Sequence, residues 1–113
     1  MKTALLIALT IFASQLAYAG VDRAAGASKS KPCAACHGAD FNTPVSADIP
    51  RLAGQHADYL ARALTDYKSG ARKNPVMDGQ AAALSAQDIQ DIAAYVNSLN
   101  GNLKVIGLHR LVH

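Results

Sequence analysis

Tryptophan is absent from this chain, phenylalanine occurs twice and tyrosine four times. Phe12 and Tyr18 fall in the first twenty residues, so the remainder keeps only Phe41, Tyr59, Tyr67 and Tyr95 as large rings. That is a thin core for a small domain, and such domains usually depend on a disulfide, a metal or a cofactor. Cysteine is scarce as well. The only two, Cys33 and Cys36, are three apart, and a bridge between them closes too short a loop to stabilise much. The composition therefore leaves room for a large bound apolar group. A run of lysine or arginine is also missing. The net charge of +3, one less if Lys2 is removed, is too weak to argue for nucleic-acid binding by itself. No apolar–polar alternation of the kind strands need appears before residue 101, and there is no internal repeat. With 113 residues, one domain is the expectation.

What is present begins with a leader. Lys2 gives a positive start, Ala4–Ala13 an apolar stretch broken only by Thr10, and Ala17-Tyr18-Ala19 a small-x-small cleavage site. Residues 1–19 are read as a signal peptide cleaved after Ala19, with export to the periplasm. The apolar run is short for spanning a bilayer. The domain then covers 20–101, followed by an extension at 102–113.

Within the domain, residues 20–31 suit a short first helix running into Pro32. Cys33–His37 reads as one further turn, ended by Gly38. Residues 38–54 carry the prolines, glycines and Asp/Asn/Ser/Thr of a loop. Leu60, Ala63, Leu64 and Tyr67 recur at helical spacing until Ser69-Gly70. Residues 70–80 read as a second loop. Ser85 and Asp88 then form a capping box ahead of Ile89, Ile92, Ala93, Val96 and Leu99, with Asn100-Gly101 as the stop. The plan is all-α: three to four short helices and two long loops. Loops of that length in so small a domain usually line a site.

Cys33, Cys36 and His37 admit four readings. A structural disulfide over two intervening residues is strained and stabilises little. A thioredoxin-like dithiol needs a βαβ frame, which is missing. Zinc needs four ligands, and His56, His109 and His113 stand at no recognisable spacing. C-x-x-C-H is, fourthly, the attachment signature of c-type haem. Thiols at i and i+3 on one helix face reach both vinyl groups of a haem edge, and the next residue offers its imidazole to the iron. Met77 is the methionine beyond the leader; it stands between Pro75 and Asp78-Gly79 rather than on an apolar helical face. His37 and Met77 are therefore the candidate axial ligands, with His56 the main rival to Met77.

The stretches CAACHG (33–38), IPRLAGQHADYL (49–60), YKSGAR (67–72), NPVM (74–77) and LSAQDIQDIAAYVNSL (84–99) carry a closer likeness. From about Ala24 to Leu99 the chain resembles small class I c-type cytochromes of the bacterial single-haem periplasmic kind. The resemblance implies a cytochrome c fold, in which helices surround one covalently bound haem c and the first and last helices cross over its edge. It implies that Pro50 lies on the proximal side, where a backbone carbonyl accepts a hydrogen bond from His37 Nδ1. It places Arg72 near the propionates, and Leu52, Tyr59, Leu60 and Ile92 in the pocket or the helix packing. One departure stands out: the position four before Cys33 is Lys29 rather than an aromatic, which implies a looser or rotated crossing at Tyr95.

The expected function is electron transfer, the iron cycling between Fe(II) and Fe(III), with no catalysis within the chain. The partners implied are redox proteins docking transiently at the exposed haem edge, with no nucleic acid and no membrane span after cleavage. Lys29, Lys31, Arg51, Lys68, Arg72 and Lys73 are the cations expected to rim that edge. An electron-transfer subunit of a larger oxidoreductase, and a haem-based gas sensor with a weak Met77 bond, are the alternatives.

Overall fold

Asp22 opens the first helix because its carboxylate accepts the Ala25 N–H at 3.0 Å, satisfying a backbone donor the helix itself leaves free. The computed structural model describes residues 20–103; residues 1–19, expected to be a signal peptide, and residues 104–113 of the expected extension at 102–113 lie outside the described residues. Among them the order is α1 (Arg23–Lys29), α2 (Lys31–His37), α3 (Ala57–Ser69), α4 (Pro75–Ala82) and α5 (Ala86–Asn97), with no strand. The all-α expectation holds. Five helices rather than three or four form because α1 and α2 break at Ser30 and because the second expected loop contains α4.

α4 corrects the reading of 70–80 as loop. Asn74 and Pro75 start a helix there instead of breaking one. The Asn74 carboxamide accepts the Val76 and Met77 N–H groups, each at 3.0 Å, and Asp78 accepts the Asn74 N–H at 3.2 Å. Pro75, at the first helical position, loses no bond, because that N–H has no partner in any helix. α5 departs in a smaller way. Its capping box at Ser85 and Asp88 is present, but it ends at Asn97 with Ser98 as cap. Gly101 is not its stop. A Cβ on Gly101 would lie 2.3 Å from the Ala53 carbonyl oxygen, so glycine is needed there for close approach of two backbones.

The core lies around α5, whose Ile89, Ile92, Ala93 and Val96 are buried with Phe41, Ala53, Leu60 and Ala61. Burying each Ile or Val stabilises by roughly 1.5–3 kcal/mol. The solvent-exposed Arg62–Asp66 pair on α3 contributes a few tenths. Packing, rather than surface charge, sets the arrangement. α5 packs on α1 and α3, and α4 packs chiefly on α3.

The crossing of α1 and α5 is tight, which overturns the expectation of a looser contact at Tyr95. Gly26 is buried against α5: a Cβ there would stand 2.0 Å from the Asp91 carbonyl oxygen and 2.9 Å from Tyr95 Cβ. Lys29 does not disturb the crossing, because its ammonium turns to Asp88 and Asp91. The aromatic that α1 lacks arrives from the loop instead. Phe41 meets Tyr95 edge to face, ring centres 6.2 Å apart at 87°. Asp91 is buried, accepting the Asp22 N–H at 2.9 Å and the Gln87 amide at 2.8 Å, with Lys29 Nζ 3.5 Å away.

Gly26→Ala is expected to destabilise the protein. Helix propensity favours alanine by about 1 kcal/mol, but the clash with backbone outweighs it, for a net loss of about 1–3 kcal/mol. Thermal unfolding of the holoprotein checks this; an unchanged or higher Tm would contradict the tight crossing. Acid behaviour follows from the same contact. The Lys29 ammonium, then the Ser85 N–H, draw Asp88 down to about 2, and the Asp22 N–H followed by Gln87 draws Asp91 below the usual carboxylate range. Both are depressed on folding, so their contribution is complete above about pH 4 and is lost as pH falls through the folded value of each, about 2 for Asp88. Urea midpoints measured from pH 5 to pH 2 should fall over that window, and less steeply in Asp88→Asn.

Candidate cofactor site

α2 exists because Ser30 ends α1 and Pro32 suits a first turn. It puts Cys33 and Cys36 one turn apart as free thiols, Cys33 half-buried and Cys36 exposed. Burial pushes the Cys33 thiol above its ordinary range. His37 is the last residue of α2 and is 6% exposed. The chain must then turn sharply. Gly38 takes φ +92, and a Cβ there would lie 2.3 Å from the Thr43 carbonyl oxygen, so no other residue fits.

The loop that follows is firmly built. The Asp40 carboxylate accepts the Asn42 and Thr43 N–H groups and the Thr43 hydroxyl, which hold it below the usual carboxylate range, the Asn42 bond foremost. Phe41 turns into the core with φ 55, and its carbonyl accepts the N–H groups of Leu52 and Ala53 at 2.8 and 2.9 Å. Val45 N–H returns to the Cys36 carbonyl at 3.0 Å. The segment after α5 closes the other side. Gly54 N–H donates to the Val96 carbonyl, the Asn97 amide to the Gln55 carbonyl, and Asn102 N–H to the Asn42 side chain.

This loop brings the Pro50 carbonyl to His37. The oxygen lies 2.8 Å from Nδ1, close enough to accept its proton. With the proton held at Nδ1, Nε2 carries the free lone pair. The described residues contain no cluster of three or more His, Cys, Asp or Glu suited to holding a metal ion directly. A single imidazole lone pair beside two thiols instead suits a metal delivered inside a larger group.

The apolar surroundings fit such a group. Tyr59 and Val76 are 51% and 62% exposed, and Leu52, Leu64 and Met77 are only half-buried. These uncovered groups sit on the loop that orients His37, on α3 and on α4. Two hollows occur elsewhere, one at Val21, Ala57 and Ala94 and one at Ser30, Ala34 and Phe41, and neither includes His37 or Met77. Arg72 lies with its guanidinium 5.0 Å from the centre of the Tyr67 ring, and Tyr59 first, then Tyr67, holds it above even its usual range. His56, the rival ligand, is exposed at the start of α3. Four contributors were not singled out from sequence: Phe41, Asp91, and Asn74 and Lys68 in their parts around α4. For Asn74 the signal was there, as Asn-Pro followed by Asp is a cap written in sequence.

Comparison with known proteins gives this arrangement its relatives. The cytochrome c family model matches residues 21–100. Cytochrome c4 of Pseudomonas aeruginosa is 47% identical over 90 residues, 80% of this chain and 44% of that protein. Cytochrome c-554(548) of Halomonas halodenitrificans is 42% identical over 80 residues, 68% of this chain and 95% of its own. The "Thiosulfate dehydrogenase electron acceptor" of Stutzerimonas stutzeri is 46% identical over 67 residues, 59% of this chain and 31% of that one. The crystal structure of reduced cytochrome c4 from Pseudomonas stutzeri superposes with a TM-score of 0.68 at 40% identity, covering 74% of this chain and 48% of that one. The chain thus spans about half the length of the cytochrome c4 relatives. Shared sequence over four fifths of its length and a shared backbone over three quarters make the chain a member of the cytochrome c family, electron carriers bearing covalently bound haem c.

Proposed function

We propose that this chain holds one haem c, joined through Cys33 and Cys36, with its iron between His37 and Met77, and that it relays single electrons in the periplasm without catalysing a reaction itself. The observation that carries the reading is the 2.8 Å contact of His37 Nδ1 with the Pro50 carbonyl. It fixes the tautomer and the ring plane in the turn that also presents both thiols. Bound there, the haem supplies a one-electron couple at its iron. His37 would give the firm ligand, since its ring is buried and hydrogen-bonded. Met77, half-buried in the first turn of α4, supplies a thioether, which favours the reduced state and raises the potential. Leu52, Tyr59 and Val76 would shield the group from water, and Pro50 and Arg72 would complete its pocket. One C-x-x-C-H in the sequence supports one haem.

Partners are redox proteins that dock briefly, and the electron-acceptor relative supports a dehydrogenase as donor. Of the six cations, Lys29 is neutralised by Asp88 and Asp91, which leaves five to steer an approaching partner; Lys68, Arg51 and Arg72 keep their charge while they engage the Ala82 and Asn42 carbonyls and the Tyr67 ring. Lys31 and Lys73 have no ion-pair partner among the described residues. Among the described residues, no helix is long and apolar enough to cross a membrane.

Holoprotein made with a haem-attachment system should contain one haem per chain by pyridine haemochrome and intact mass, and Cys33→Ala/Cys36→Ala should lose the covalent bond. Met77→Ala should abolish the far-red sulfur-to-iron band of the oxidised protein, lower its potential and admit carbon monoxide to the reduced form. A wild-type protein lacking that band would remove Met77 as ligand. Association with a redox partner should slow as salt is raised; rates independent of salt would refute steering by these cations.

A further inference from the structure

α4 is the element on which the methionine side of the site depends, and it is held in an unusual way. It has eight residues, and only Ala81 is buried. It packs chiefly on α3. Its N-terminal end is self-sufficient, closed by Asn74 and Asp78 from within the same turn. Its C-terminal end is not. There the helix leaves carbonyl oxygens without intrahelical donors, and the negative end of its dipole faces outward.

Lys68, in the last turn of α3, answers both needs. Its ammonium donates to the Ala82 carbonyl at 3.1 Å and also to the Leu84 carbonyl. The side chain is exposed and reaches across to a neighbouring helix, forming no ion pair among the described residues. It lies fourteen and sixteen positions before the two carbonyls it binds, across the turn that carries Arg72 and Asn74. A lysine without this duty would extend into solvent, where its rotamer entropy is kept.

We propose that Lys68 is a positioning residue for the distal ligand: by clamping the C-terminal end of α4 to α3, it holds the helix that carries Met77. The inference rests on Met77 being the axial ligand. It moves Lys68 from the set of partner-docking cations to the internal machinery of the site. Since Asn74 and Asp78 keep α4 helical, loss of Lys68 should leave the helix formed and let it shift as a unit. The sulfur would then be displaced more easily by an outside ligand, while the His37 side stays as it is.

The test uses oxidised holoprotein as wild type, Lys68→Met, Lys68→Arg and Met77→Ala. Imidazole is titrated in while the far-red sulfur-to-iron band is followed. Lys68→Met should keep the band but bind imidazole about fivefold more tightly, about 1 kcal/mol, with a lowered potential and an unchanged far-UV spectrum. Lys68→Arg, which can still donate to both carbonyls, should return to within twofold of wild type. Amide exchange over residues 76–82 should be faster in Lys68→Met than in wild type or Lys68→Arg. Equal imidazole affinity and equal exchange in wild type and Lys68→Met, with the band present in both, would overturn the role of Lys68 and leave Met77 intact. If Lys68→Met fails to fold, Lys68→Gln repeats the measurement with a shorter neutral donor, which should bind imidazole more tightly than wild type and less tightly than Met77→Ala. A wild type without the band would overturn the Met77 reading, and this inference with it.

Discussion

One hydrogen bond, from His37 Nδ1 to the carbonyl of Pro50, is the constraint around which the rest of the molecule is arranged. An imidazole in contact with solvent can put its proton on either nitrogen and turn its ring freely. A buried one with an acceptor at Nδ1 can do neither, and its Nε2 lone pair acquires a direction. The acceptor is a backbone atom, so it cannot be tuned by changing one side chain. Its place is set by the whole loop from Gly38 to Gln55. Gly38 makes the loop's first turn possible, Asp40 fixes its corner, and Phe41 pins it to the core from within.

The core that supports this loop is small, and its economy explains the tight helix crossing. With few large side chains available, backbone approach replaces side-chain bulk. Gly26 lets α1 lie directly on the Asp91 carbonyl of α5, and Gly101 lets the segment after α5 lie on Ala53. The buried carboxylate of Asp91 then has a clear structural reason. It ties the N-terminus of α1, through the Asp22 N–H, to the middle of α5, and it takes part of the charge of Lys29. An aromatic on α1 would have filled the same space by contact alone. Here Phe41 fills it from the loop, so the core and the proximal loop share a residue.

Much of this was legible in the amino-acid order. The C-x-x-C-H turn, the capping box at Ser85, the αL stop at Gly70 and the apolar face of α5 are local patterns, and local patterns are set by residues a few positions apart. The misreadings came from residues whose meaning depends on distant chain. Asn-Pro at 74–75 can break or begin a helix, and the composition of 70–80 favoured the break. Lys29 looked like an intrusion in a crossing because its partners, Asp88 and Asp91, come some sixty residues later. Lys68 looked like a surface charge for the same reason, its acceptors being carbonyls, which leave no mark in sequence. The glycine at 26 was visible, but not that it alone would decide how closely two helices approach.

The strap formed by residues 96–102 has a further consequence, for the order in which the molecule can be completed. Asn102 reaches back sixty positions to Asn42, and Asn97 reaches back forty-two to Gln55. Contacts so far apart in sequence require the whole intervening chain to be made and closed into a loop. A nascent chain that has emerged as far as α4 already displays both thiols, His37 and Met77. It still lacks α5 and the strap, and with them the lock on the loop that carries Pro50. Both thiols, His37 and the loop that carries Pro50 are thus synthesised before the helix and strap that pack against them, so the last part of the domain to be made is the part that secures the histidine's acceptor.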